Sequence, residues 1–72
     1  MQYNKKQVDK IKERYSKGTP IKLLEMRDDP RPVEPGTCGT VTNVDDIGTV
    51  HCKFDDGRVL GLVVNVDRFI II

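Results

Sequence analysis

The sequence predicts a mainly β domain, with five short strands bent into a small barrel behind an N-terminal α-helix. Three observations predict it. Glycine follows Pro at Pro35-Gly36, stands two residues after Asp at Asp46-Ile47-Gly48 and follows Asp at Asp55-Asp56-Gly57, residue types that supply the positive φ of tight turns. Between the last two turns Val50, Cys52 and Phe54 alternate with His51 and Lys53, the period of a half-buried strand. Upstream, Lys5 to about Tyr15 holds neither Gly nor Pro, and Val8, Ile11 and Tyr15 recur on one helical face.

The elements follow in order. Asn4 is a good N-cap, because its side-chain oxygen can accept from the open amides of the first turn. Ser16-Lys17-Gly18 ends the helix, with Gly18 as the expected left-handed cap. A helix this short is marginal alone, so its apolar stripe must dock on the rest of the chain. Pro20 opens the first strand, which runs over Ile21 to Met26. Its alternation breaks at Leu24, which predicts a bulge or strand end there. Arg27 to Pro32 carries two prolines and an Asp pair and reads as a loop.

The second strand is expected over Thr37 to Val44, the third over Thr49 to Phe54 and the fourth over Arg58 to Val64. Asn65 to Arg68 reads as one helical turn capped by Asn65, and Phe69 to Ile72 as the last strand. Five strands with a helical turn before the last are the order of an SH3-like barrel. The chain is thus one domain, with residues 1–18 as a helix packed on the barrel of residues 19–72. The strand phases place Val41, Val50, Cys52, Phe54 and Leu62 together inside. The Asp45–Gly48 turn sets Cys52 opposite Val41, about 10 Å along the strand from Cys38. A disulfide spans no more than roughly 7 Å between α-carbons, so two reduced thiols are expected.

Size and composition narrow the function. A chain of 72 residues buries roughly 60% of the surface its unfolded form exposes, enough for one core but not for a deep catalytic pocket as well. The single histidine, His51, and single serine, Ser16, cannot build a hydrolytic triad. Cys38, His51 and Cys52 lack the spacing of a zinc site, and neighbours on a strand point to opposite faces. The Asp pairs lack the alternating ligands of a calcium loop. The expectation is a non-enzymatic domain without metal or cofactor. The run Phe69 to Ile72 is far short of the roughly 20 apolar residues of a membrane helix. Met1 to Lys6 has no apolar stretch after its charges, so a cytoplasmic protein with no membrane partner is expected.

Net charge is +1, but its halves differ. Residues 1–18 hold six cations against Asp9 and Glu13, net +4; residues 19–72 hold six cations against nine carboxylates, net −3. Such asymmetry can mark an anionic partner at the basic end or a helix docked on its own acidic barrel.

At Gly18-Thr19-Pro20-Ile21-Lys22-Leu23, at Pro35-Gly36-Thr37-Cys38-Gly39-Thr40-Val41, at Val50 to Gly57 and at Val66-Asp67-Arg68-Phe69 the chain resembles a family of small bacterial and phage proteins, the domain of unknown function number 4314. It departs from the family's pattern at Phe54, where an indole is common, and at Arg58, where a small polar residue is usual. The resemblance implies an SH3-like barrel and an origin in genomes rich in phages and conjugative elements, and it carries no activity across. Gly36 to Val44 is also similar to the KOW-type strand of ribosomal proteins and elongation factors, where a bent glycine-containing strand meets RNA or protein. The plainer role of Gly39 is to relieve crowding at a strand bend.

Two functions follow as expectations. One is a protein-docking module of a phage or mobile element, an inhibitor of a host nucleic-acid enzyme such as a CRISPR effector. It would use Asp28, Asp29, Asp45 and Asp46 with the apolar Val59 and Val63. The surplus of Val59, Val63, Val66 and Ile70 to Ile72 also suits a second copy of the chain. The alternative is a nucleic-acid-binding accessory protein using Lys6, Lys10 and Arg14, spaced i, i+4 on the helix. Lysines give phosphate affinity without sequence readout, and the few aromatics leave little for base stacking, so such binding is expected to be weak.

Overall fold

The computed structural model describes residues 3–26 and 31–72. The chain forms α1 (Lys5–Arg14), β1 (Pro20–Glu25), β2 (Cys38–Val44), β3 (Val50–Phe54), β4 (Val59–Leu62) and β5 (Arg68–Ile71). All strands join one antiparallel sheet in the order β4-β3-β2-β1-β5. The mainly β architecture with an N-terminal helix is therefore as expected. The closed barrel is not: among the described residues no pairing joins β4 to β5, and the sheet stays open at both strands.

The helix starts as its sequence dictates. Asn4 Oδ1 accepts from the Gln7 amide at 2.9 Å, and Gln7 Oε1 accepts from the Asn4 amide at 2.9 Å, a reciprocal capping box. Its end differs from expectation. The helix stops at Arg14, and Tyr15 is the C-cap, because its ring turns inward to join the core. Gly18, at φ +91°, serves the following turn instead, where the Thr19 amide donates to the Ser16 carbonyl at 3.0 Å. The apolar stripe docks as its spacing requires. Val8 and Tyr15 are buried, Ile11 packs against the core, and the Tyr15 and Phe69 rings lie 5.2 Å apart.

The register explains the two irregularities. β1 slips between Leu23 and Glu25 against β5, the bulge that the broken alternation at Leu24 implied. β2 slips between Val41 and Asn43, and the extra residue Thr42 donates its hydroxyl to the His51 carbonyl at 3.1 Å. Cys52 lies opposite Val41 as expected, although the turn alone would pair it with Thr42 and the bulge supplies the one-residue shift. The turn before β5 is built differently from its reading. The Val66 and Asp67 amides both donate to the Val63 carbonyl, and the buried Asp67 carboxylate reaches back to accept from the Val63 amide at 2.9 Å. Asp67, not Asn65, ties this turn, because only a side chain after the turn can reach the amide that enters it.

The core gathers the five expected residues Val41, Val50, Cys52, Phe54 and Leu62 with Tyr15, Ile21, Leu23 and Val33. Gly39 pairs with Phe54, and a Cβ on Gly39 would stand 2.9 Å from both the Lys53 carbonyl oxygen and Phe54 Cδ1. The glycine thus answers a packing demand of the β2–β3 crossing.

Phe54→Ala is expected to cost about 3–5 kcal/mol, as large-to-small core changes do, and Gly39→Ala about 1–3 kcal/mol by overpacking. Urea unfolding checks both. A Phe54→Ala midpoint equal to the wild type's would mean the strand phase is wrong.

Candidate functional site

The acidic candidates occupy different positions. Asp28 and Asp29 lie outside the described residues. Asp45 is consumed by its own hairpin. Its Oδ1 accepts from the Ile47 amide at 3.1 Å and the Thr49 amide at 2.9 Å, and its Oδ2 faces His51 Nε2 at 2.9 Å. Burial raises the pKa of this carboxyl, but the His51 hydrogen bond and then the Thr49 and Ile47 amides outweigh it and leave the pKa below its ordinary value. Asp46 points outward and meets Lys12 Nζ at 3.0 Å. That pair ties the helix to the β2–β3 turn, where Tyr3 and Ile11 lie over Gly48 so closely that a Cβ there would meet Tyr3 Cδ2 at 2.9 Å.

Beside this pair is a shallow cleft of about 340 Å³ lined by Lys5, Val8, Asp9, Lys12 and Asp46. Its two cations and two carboxylates offset one another, and it brings no nucleophile against a base. Among the described residues, no three of His, Cys, Asp or Glu gather where one ion could meet them, and no helix is long and apolar enough to cross a membrane.

The helix cations Lys6, Lys10 and Arg14 are all exposed, on the side away from the buried stripe. The Arg14 guanidinium lies 5.7 Å from the Tyr15 ring centroid, which takes it partly out of the row. Val59, 60% exposed, stands on the outer face of the sheet opposite Lys53, while Val63 is half-buried in the turn after β4.

The structure collects apolar surface at the other edge. Phe69 and Ile71 lie opposite Leu23 and Ile21, which are fully buried, so they belong to the core face. Ile70 lies opposite the exposed Lys22 on the outer face, 45% exposed, and Ile72 follows it at 58%. Leu24, at the bulge, and Ile71 are also exposed. The sequence signal was the unbroken run Phe69 to Ile72: in a strand, half of such a run must turn away from the core.

An open five-stranded antiparallel sheet capped by one helix, without a catalytic constellation among the described residues, defines a small mainly β domain. More particularly, the chain belongs to the family described as Domain of unknown function (DUF4314), whose model matches residues 4–72. No curated protein and no solved structure matches the chain.

Two measurements follow. Asp45 binds fewer protons folded than unfolded just below its ordinary pKa of about 3.9, so it adds stability above that value and loses it as pH falls through the lowered folded value. Urea midpoints of Asp45→Asn should therefore fall less steeply than those of the wild type between about pH 5 and pH 2; equal slopes would contradict the turn's role. Burial pushes the Cys52 thiol up to about 11, and Cys38 is only half-buried. Thiol labelling near pH 8 should modify Cys38 alone in the native protein and both thiols after denaturation without reductant. A count of zero in the denatured protein would show that the two are bonded.

Proposed function

We propose that this domain is a non-enzymatic protein-docking module whose working surface is the β1–β5 side of the sheet. The observation that carries the reading is the exposure of Ile70 and Ile72 on the outer face of β5, with Ile71 and Leu24 also exposed at the same edge. Contiguous apolar surface on a small domain is characteristic of an interaction site. The helix stripe packs on the core face, where Tyr15 meets Phe69, and leaves Ile70 and Ile72 exposed on the outer face.

The narrower form of the reading is a phage or mobile-element inhibitor that occupies the cationic groove of a host nucleic-acid enzyme. That form needs free acidic loops. Asp45 is spent inside its turn and Asp46 is paired with Lys12, which favours docking through apolar surface over charge mimicry.

Nucleic-acid binding through Lys6, Lys10 and Arg14 is expected to be weaker than about 10 μM at physiological salt, in the ordinary non-specific range. Fluorescence anisotropy with arbitrary DNA and RNA tests this. Sub-micromolar affinity that disappears on reversing Lys6, Lys10 and Arg14 would overturn the docking reading. Affinity capture adds the positive arm. Proteins retained by the wild type should be lost by an Ile70→Lys, Ile72→Lys double variant, and retention of the same proteins by both forms would contradict the assigned surface.

A further inference from the structure

The backbone at the β5 edge has a definite polarity. The Ile72 amide donates to the Pro20 carbonyl at 3.1 Å, whereas the Leu23 amide donates to Thr37 of the segment leading into β2. In an antiparallel ladder the bonding direction alternates residue by residue. Ile70 and Ile72 therefore bond toward β1, and the amides and carbonyls of Phe69 and Ile71 point away from the sheet. Among the described residues no strand pairs with them. An edge of this kind is a template for another strand.

We propose that β5 accepts an extended segment of a partner protein as a sixth strand, one in which apolar residues alternate with acidic ones. This rests on the docking reading above and specifies its mode and the chemistry of the partner. The apolar residues of the added strand continue the row of Phe69 and Ile71 along the core face. The acidic residues continue the outer row, where Lys22 stands directly behind Ile70; Arg68, which precedes Ile70, lies opposite Glu25, so Lys22 carries the charge preference. Main-chain bonds supply affinity in this mode and the alternate side chains supply specificity.

Two arguments favour a peptide strand over a second copy of the chain. The edge is four residues long, roughly 14 Å. That is too short to bury the roughly 800 Å² per partner of a stable dimer, whereas a single strand needs less. A second copy would also bring its own Lys22 to a side already holding that cation, whereas a carboxylate complements it.

The probe is a synthetic eight-residue peptide alternating Val and Glu, followed by amide-resolved NMR and isothermal titration. Addition should shift the Phe69 and Ile71 amides and slow their hydrogen exchange at least tenfold. Ile71→Pro removes one outward amide and none that bonds to β1, so it should weaken binding at least tenfold while leaving the thermal midpoint close to the wild type's. The same peptide with Lys for Glu should bind at least fivefold more weakly, and Lys22→Glu should reverse that order. Exchange protection on the wild type alone is decisive should Ile71→Pro fail to fold. Absence of binding, shifts confined to another face, or a concentration-dependent dimer whose contact maps to β5 would each overturn the proposal. The two readings fail separately: a captured partner that survives Ile71→Pro but is lost on Ile70→Lys, Ile72→Lys leaves docking standing and removes strand addition, whereas one retained by both variants removes docking at this surface.

Discussion

Phe54 can fill the middle of this core because the residue opposite it, Gly39, carries no Cβ. The contact sits where β2 and β3 share more of their length than any other pair of strands, and both bounding turns feed it. On one side the Asp55-Asp56-Gly57 turn returns the chain to β4, with the Phe54 amide bonded to the Arg58 carbonyl at 2.8 Å. On the other, the Asp45 carboxylate gathers two amides and His51 to close the hairpin. Gly39 also pairs with Ile21, so the same glycine sets how β1 meets β2. In a domain this small there is little other apolar area to compensate for a shift at that point.

Local chemistry was readable in the sequence, and closure was not. The alternation of Val50, Cys52 and Phe54 shows which face is inside, whereas Cys52 comes opposite Val41 only through the bulge at Thr42, which turn length does not reveal. Gly36, Gly48 and Gly57 all adopt positive φ, as turn composition implied. The failures involve contacts distant in sequence or a side chain with two uses. The stripe of Val8, Ile11 and Tyr15 marks Tyr15 as core-facing and the helix as ending near it, but no local signal shows that Tyr15 and not Gly18 is the cap. Val33 lies in a segment without strand pattern, and its burial depends on where the rest of the sheet passes. Whether β4 meets β5 depends on the curvature of the whole sheet, which no short pattern encodes.

The candidate site shows the same division more sharply. An Asp at the head of a four-residue turn ending in glycine is a turn former, and its oxygens are committed to the turn's amides. Asp45 has that position in Asp45-Asp46-Ile47-Gly48, and the geometry confirms its use. Counting it as free surface charge inflated the acidity of residues 19–72. Lys12 and Asp46 then join the basic and acidic halves directly, so part of the +4 and −3 asymmetry is internal to the fold. Charge summed along a segment is a poor guide to charge displayed on a face. Here the outer face of the sheet, reached by Lys22 and Lys53, carries cations although its segment is net acidic.

An exposed apolar edge strand carries a risk, because its unpaired amides invite indiscriminate pairing. Natural sheets blunt such edges with charge, and lysine is a common choice. β5 is very short, and Lys22 stands beside the exposed Ile70, while Arg68 at the start of the strand lies opposite Glu25. The Lys22 cation opposes the approach of an identical edge, yet it does not cover the backbone. Had avoidance of pairing been the sole constraint, a lysine in place of Ile70 or Ile72 would serve it at little cost, since both side chains already face solvent. Isoleucine at both positions beside the Lys22 cation is what the proposed addition of an acidic partner strand requires of this edge.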